Sequence, residues 1–132
     1  MVLVSKIFIF LFILQFPITS QISSFLFQQN PFIAKLGLNE TEGKIYIIGK
    51  FENNSTDSIS VTYKMKAIKI GRSGESISTQ SGKYISEPNS ELILAKVGLN
   101  IDNRTTYKII LEVFKDEELI SADSLNYIPE NH

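Results

Sequence analysis

Residues that could carry out catalysis are scarce in this chain of 132 residues. It has no cysteine, and its one histidine is His132. These two facts argue against a Ser-His-Asp triad, a thiol nucleophile, a disulfide and any zinc site built on histidine or cysteine. Nearly all of the 14 acidic side chains fall in predicted turns, where charge is ordinarily solvated. We therefore expect no enzymatic activity, no cofactor and no metal site.

A polar segment, SISTQSGKY from Ser76 to Tyr84, is the first candidate binding surface. It lies between apolar, strand-like segments, yet it is mostly Ser, Thr, Gln and Gly. Three interpretations are open: a loop, an edge strand kept polar so that it recruits no other strand, or an edge that pairs with a partner chain. Glycine here permits a close backbone approach or a kink. The candidate binding residues in this segment are Ser78, Gln80, Ser81 and Gly82.

A basic stretch precedes the polar segment and adds two candidates, Lys64 and Lys66. Period-2 alternation places both on the same face of a predicted strand. They form either a solvated sheet face that discourages edge-to-edge aggregation, or a patch that steers an acidic or polar partner. The formal net charge of the whole chain is −1, so nucleic-acid binding is not predicted.

The first 20 residues have the pattern of a secretory signal peptide. Lys6 precedes the apolar run Ile7 to Leu14, and Pro17 and small residues follow up to Ser20. The alternative is an uncleaved anchor helix, but the apolar run is short against the roughly 20 residues that span a bilayer. We predict a signal peptide at 1–20, an N-terminal extension at 21–31, and no membrane span after cleavage.

The remaining residues, 32–128, alternate strand-like and turn-like segments. The clearest strand is Ile59 to Ile70, with Ile59, Val61 and Tyr63 on one face. Its parity changes at Ala67–Ile68, which predicts a β-bulge there. Ile93 and the alternate residues from Ala95 onward are assigned to one face of a later strand. Other strands are predicted within 32–38, 44–51, 92–101, 107–114 and 119–128, and turns at 39–43, 71–75, 86–91, 102–106 and 115–118.

This spacing predicts an all-β fold, an immunoglobulin-like antiparallel β-sandwich of about seven strands following the signal peptide. A small β-barrel is the structural alternative. The cysteine pair and core tryptophan of antibody domains are absent, so the general sandwich is what the pattern supports.

The second half of the chain also resembles a known family. The relevant motifs are the polar Q-S-G of Gln80 to Gly82, a Pro/Asn turn, and L-x-L-x-x-V-x-L-N from Leu92. Y-x-I-x-L-x-V from Tyr107 and D-x-E-L-I from Asp116 follow. Over roughly 44–125 this pattern resembles the curli assembly chaperones, the CsgC/CsgH-like periplasmic inhibitors of curlin amyloid formation.

The resemblance implies an immunoglobulin-like sandwich, export to the periplasm or the cell exterior, and a non-enzymatic role. Family members keep curlin, the secreted amyloid subunit, soluble until export. Some members carry a Cys-x-Cys motif or a disulfide, and this chain has neither. Only Gln80, Ser81 and Gly82 match a family motif within the polar segment.

The function predicted on this basis is a periplasmic chaperone of curli biogenesis that binds curlin transiently and blocks premature fibre nucleation. Its expected partner is a curlin-type amyloid subunit, with the curli secretion machinery as a second candidate, and the chaperone itself is expected to be a monomer. The alternative is an immunoglobulin-like structural or adhesive accessory domain of the bacterial cell envelope.

Overall fold

The fold was obtained as a computed structural model that describes residues 30–129. The predicted signal peptide and residues 21–29 of the predicted extension lie outside this range. No helix among the described residues is long and apolar enough to cross a membrane. The elements are seven β-strands, β1 (Phe32–Thr41), β2 (Lys44–Asn53), β3 (Ile59–Gly71), β4 (Gly74–Ser86), β5 (Ser90–Asn100), β6 (Thr106–Lys115) and β7 (Glu118–Tyr127).

The strands form two antiparallel sheets, which confirms the predicted all-β sandwich. One sheet has the order β1-β2-β5 and the other β4-β3-β6-β7. In immunoglobulin sandwiches the first, second and fifth strands likewise face the third, sixth and seventh. The fourth strand, which holds the polar segment, pairs with β3 along its whole length and forms one edge of the four-stranded sheet.

The core lies between the sheets and is built by alternate residues of the central strands. In β3 the predicted inward face is confirmed, with Val61 and Met65 at 1% and 2% exposure. In β6 the residues Ile109, Leu111 and Val113 are fully buried. Period-2 alternation of this kind places one face of a strand in the core and the other in solvent. Both sheets contribute to the buried set, which includes Ile45, Ile47, Phe51, Ile59, Val61, Tyr63, Met65, Leu94, Ala95, Tyr107, Ile109, Leu111 and Val113.

Tyr107, near the start of β6, ties this strand back to the end of β5. Its hydroxyl donates a hydrogen bond of 3.0 Å to the backbone carbonyl of Asn100. A tyrosine in this place, bonded to backbone a few residues upstream, is the tyrosine corner of immunoglobulin sandwiches. The chain thus has one hallmark of that fold although it lacks the cysteines and the tryptophan.

Two of the tight turns between neighbouring strands have positive φ at both turn residues. The turn predicted at 39–43 is shorter than expected, because β1 continues to Thr41 and only Glu42 and Gly43 turn. Both have positive φ, 51° and 79°, as two-residue hairpin loops require. Asp116 and Glu117 turn in the same way with φ of 50° and 67°, which confirms the hairpin predicted at 115–118.

The β-bulge predicted at Ala67–Ile68 is wrong. β3 pairs with both of its neighbours in unbroken register through this point. Ile68 and Ile70 lie instead on the outer face, where Ile70 is 45% exposed. From Lys66 onward neither side of β3 is fully buried. The burial constraint that enforces strict alternation is therefore weak at this end of the strand.

A β-bulge lies instead in β5, a strand of the other sheet. The pairing of β2 with β5 shifts between Gly49 and Lys50 and leaves Leu94 without a partner. As a result, Leu94 and Ala95 are both buried although they are adjacent, and Ile93 points outward. The assignment of Ile93 to the same face as Ala95 is therefore wrong, since an extra residue reverses the alternation.

Candidate functional site

The predicted polar segment is a strand, and the loop interpretation of it is wrong. A turn at 72–73 returns the chain antiparallel to β3, and the pairing runs from Gly71–Gly74 to Ile59–Ser86 without interruption. Among the described residues, no strand pairs with β4 on its other side. Residues 74–85 are exposed except for half-buried Gly82. The segment is therefore a solvated edge strand. Among residues 30–129, the edge that faces away from β3 presents backbone N–H and C=O groups that no other strand pairs with.

The six predicted binding residues divide between the two faces of this sheet. Residues directly opposite each other in an antiparallel pair point to the same side. Ser81 lies opposite Lys64 on the outer face, and Lys66 is on that face too. Gln80 lies opposite the buried Met65, so it points to the core-facing side. Ser78 and Gly82 share that side with Gln80, and the structure therefore brings together two groups of three.

On the outer face, the two lysines of β3 have small side chains next to them on β4. Lys64 lies between Ser81 on β4 and Glu112 on β6, while Lys66 lies opposite Thr79. Within residues 30–129 neither lysine forms an ion pair with a carboxylate. A lysine has a flexible four-carbon stem, and Ser and Thr are short. Both ammonium groups are therefore within reach of the β4 edge.

On the core-facing side, Gly82 makes room for an aromatic ring. A Cβ atom at this position would lie 2.9 Å from Cε1 of Tyr63, closer than real Cβ contacts allow. The Tyr63 ring also stacks on Tyr84, with centroids 5.9 Å apart and planes 21° apart. Burial raises the pKa of the Tyr63 hydroxyl. The sequence predicted that Gly82 permits a kink or the close approach of another backbone. In the structure it is the Tyr63 side chain that approaches Gly82 closely.

Sequence reasoning missed two exposed isoleucines that flank the polar residues of β4. Ile77 and Ile85 lie on the outer face and are 60% and 68% exposed. Strict alternation along the strand would have found them, because both are odd-numbered, like Ser81. The outer face of the edge is therefore polar in the middle and apolar toward both ends.

The outer face of the three-stranded sheet has a different electrostatic character. Two of its lysines are paired: Lys35 Nζ lies 2.6 Å from Glu52 Oε1, and Lys50 Nζ lies 3.3 Å from Glu91 Oε1. The hydrogen bond and the charge of Glu52 raise the pKa of Lys35, and the hydrogen bond from Lys35 lowers the pKa of Glu52.

Within residues 30–129, no three side chains of the His, Cys, Asp and Glu types group as metal ligands.

A cavity of about 280 Å³ opens between the β4 and β5 edges. β4 contributes Ser76 and Ser78, and β5 contributes Leu99 and its neighbours. These two strands are joined at the far end by the turn that precedes Ser90. β3 contributes Ala67 and Lys69, β6 contributes Tyr107, and the other lining residues of β4 and β5 are Ile77, Gly98 and Asn100.

The opposite side of the sandwich is closed by side chains of β7. Ser121 Oγ accepts a hydrogen bond of 2.8 Å from the backbone N–H of Ala34 in β1. Asp123 Oδ2 accepts one of 2.8 Å from the N–H of Leu36. Edge N–H groups of β1 that could bind another strand are thereby occupied within the molecule.

Comparison with known proteins supports the architecture. No protein-family model matches the chain, and no curated protein matches it. Among solved structures, the curli protein CsgC of E. coli superposes with a TM-score of 0.59 and 20% identity, over 70% of this chain and 96% of CsgC. CsgH of R. palustris superposes with a TM-score of 0.54 and 17% identity, over 69% of this chain and 89% of CsgH.

The same sandwich also occurs as a small part of larger proteins. Beta-glucuronidase 2 of Bacteroides uniformis matches with a TM-score of 0.54 and 6% identity, over 74% of this chain but 14% of the enzyme. CsgC and CsgH, by contrast, match over nearly their whole lengths. The fold implied by the resemblance in the sequence is thus confirmed, because this chain shares it with CsgC and CsgH.

Proposed function

We propose that this protein is an exported, non-enzymatic chaperone of curli biogenesis. It binds the curlin-type amyloid subunit transiently and blocks premature nucleation of the fibre before export. The observation that supports this most directly is the position of the polar segment. In a sandwich with the fold of CsgC and CsgH, this segment lies within β4, an edge strand of 13 residues with no second strand paired to it among residues 30–129 beyond β3.

The chemistry of the edge suits a transient partner. Amyloid grows when an exposed strand edge pairs with an identical strand of another molecule. β4 offers the same main-chain hydrogen bonds, but Gln80, Ser81 and their neighbours supply little apolar surface to hold the partner. A growing strand that pairs with β4 is removed from the fibre-forming pool and is released again because the interaction is weak.

Lys64 and Lys66 support the same function by electrostatics. Their ammonium groups have no ion-pair partner within residues 30–129 and lie on the face next to Ser81 and Thr79. Unpaired positive charge accelerates the encounter with an acidic or polar chain. The proposed location is the periplasm or the cell exterior, where the subunit and the curli secretion machinery are the available partners.

A fibrillation assay tests the proposal. Freshly denatured curlin subunit is diluted into buffer with purified protein at a substoichiometric ratio, and fibre formation is followed by dye fluorescence. We expect a longer lag time, because blocking a few nucleating chains delays the whole reaction. An unchanged lag time at equimolar protein would refute the proposal.

A second candidate function is a structural or adhesive accessory domain of the cell envelope. The observation that favours it is the occurrence of the same sandwich as 14% of a much larger enzyme, which shows that the fold serves as a module. The two functions differ in where the protein ends up. An accessory domain sediments with mature fibres at a fixed ratio, whereas a transient chaperone remains in the supernatant.

A further inference from the structure

The four strand edges of the sandwich differ in how well they could accept another strand. Edge amides of β1 are hydrogen-bonded to Ser121 and Asp123. β5 carries the bulge at Leu94, and β7 carries another, since its pairing with β6 shifts after Val113. Bulges and covered edges are the usual means by which proteins block strand addition. Among the described strands, β4 is the edge without either feature.

The pairing of β4 with β3 shows that the edge is regular. All 13 residues of β4 have a partner on β3, and no register shift interrupts them. In an antiparallel strand about every second residue directs its N–H and C=O groups away from its neighbour. β4 therefore presents an evenly spaced ladder of donors and acceptors over its full length.

The cavity lies on the core-facing side of this ladder. Ser76 and Ser78 are two residues apart, so both point to that side, and both line the cavity. Ala67, Leu99 and Tyr107 supply apolar surface deeper between the sheets. In a strand added to β4, alternate side chains point in the same direction as Ser76 and Ser78. One of them would enter the cavity.

The outer face of the four-stranded sheet favours particular residue types for the outward side chains of the added strand. Neighbouring strands are about 4.8 Å apart, so an added strand would lie two spacings from β3. Lys64 and Lys66 lie on β3 opposite Ser81 and Thr79, whose short side chains leave the ammonium groups room to reach such a strand. Carboxylate or amide side chains on the outward side of the added strand would bind these ammonium groups.

We infer that the opening between β4 and β5 holds an extended segment of another polypeptide, paired to β4 as a fifth strand of that sheet. Its inward side carries one apolar side chain that fills the cavity, and its outward side carries acidic or amide residues at alternate positions. The inference rests on the proposed function for the nature of the partner, an extended and largely polar chain. It assigns the chemistry of the two sides of the bound strand and its anchor, which the proposed function leaves open.

A peptide titration on the whole purified protein tests the inference. The probe is a blocked peptide of about ten residues with Asp and Gln on one side of the alternation, Ser on the other and a single Phe among the serines. A second peptide has the same composition in an order that breaks the alternation. We expect slower amide hydrogen exchange along β4 with the first peptide and no change with the second.

A pair of variants tests the anchor. Ser78→Trp directs a large side chain into the cavity, whereas Ile85→Trp adds the same side chain to the outer face of the same strand. Both positions are exposed, so both variants are expected to fold, which thermal unfolding checks. We expect Ser78→Trp to weaken binding of the peptide about tenfold, as hot-spot losses do, and Ile85→Trp to leave it within about threefold.

Several outcomes would overturn the inference without touching the proposed function. Protection of β1 or β7 amides in place of β4, equal losses in both variants, or equal binding of the two peptides each contradicts it. So does occupation of the edge by a second copy, seen as dimers in sedimentation that the peptide fails to dissociate. If the lag time of curlin fibrillation is unchanged while the peptide protects β4, the proposed function fails and the strand site stands.

Discussion

Gly82 shows how a single small residue can serve the fold inside a polar edge. The ring of Tyr63 occupies the space where a Cβ would lie, and it stacks on Tyr84 from the same strand as the glycine. Glycine weakens a strand by its conformational freedom, so its presence here indicates a packing requirement. The matched Q-S-G motif therefore contains at least one residue that the structure explains without a partner.

Replacing Gly82 with alanine is expected to destabilise the protein by about 1–3 kcal/mol, because the added methyl group overlaps the Tyr63 ring. Gly37→Ala is the matched control. At that strand glycine the nearest atom to the place where a Cβ would lie is the carbonyl oxygen of Ile48, at 4.0 Å, and its replacement is expected to be neutral or slightly stabilising. Denaturant unfolding measures both, and equal effects would contradict the packing role of Gly82.

Tyr63 makes the free energy of unfolding depend on pH in the alkaline range. Burial raises its pKa above the ordinary value of 10.0, so the unfolded chain ionises first as pH increases. The stabilising contribution of the neutral Tyr63 hydroxyl is complete below pH 10 and is lost as pH rises through the pKa of the folded state. Unfolding free energies measured between about pH 9 and 11 should fall more steeply for the natural protein than for Tyr63→Phe. Parallel curves would contradict this.

For single residues, the sequence predicted which side chains are buried better than it predicted which side chains lie next to each other. The inward series Ile59, Val61, Tyr63 and Met65 is buried as alternation predicted. The six binding candidates were chosen by type, and their division between two faces follows from the register of β3 with β4. Register is set by turn geometry and burial together, and a polar strand such as β4 gives little burial signal.

Among the elements, strands with one face buried in the core were predicted well, whereas strand ends exposed to solvent were predicted poorly. β6 is bounded on both sides by turn residues and alternates strictly, so its limits differ by one residue from those expected. β3 loses its burial constraint after Met65, and outward isoleucines there imitated a bulge. The true bulge at Leu94 lies within a run of apolar residues, where either face is chemically acceptable.

The outer face of the four-stranded sheet can be tested by removing charge without reversing it. Lys64→Gln with Lys66→Gln is expected to shorten the curlin lag time relative to the natural protein and to reduce its dependence on salt. The matched control is Lys35→Gln with Lys50→Gln, which changes the net charge equally on the other sheet. Its lysines are already paired with Glu52 and Glu91. Equal effects of the two double variants on the lag time would show that net charge, and no local patch, controls the encounter.

The closed side is expected to depend on the two side chains of β7 that bind β1. Ser121→Ala leaves the N–H of Ala34 without its acceptor, and Asp123→Ala does the same to Leu36. Each should cost about 1–3 kcal/mol and speed exchange of the corresponding amide. Asp123→Asn, which keeps an oxygen acceptor, should be milder. If both alanine variants leave amide exchange in β1 unchanged, these bonds do not protect the edge.

For the molecule as a whole, seven strands and their order along the chain were predictable, and the sheet to which the fourth belongs was not. An immunoglobulin sandwich can pair its fourth strand with either sheet. Here the tight turn at 72–73 and the continuous pairing with β3 place β4 in the four-stranded sheet. That choice brings the polar edge next to the lysines of β3, so the candidate site depends on a feature of topology that no short motif encodes.

The hydrogen bonds from Ala34 and Leu36 to β7 have a further consequence for any fibre that meets this protein. A strand attached to β4 would find an obstructed β1 edge on the far side of the sandwich. The molecule would then be monovalent toward strands, and a monovalent unit ends a polymer where a divalent one extends it. On the proposed function, such a terminator would stop strand addition wherever a single edge is free, and each free edge would require only one copy.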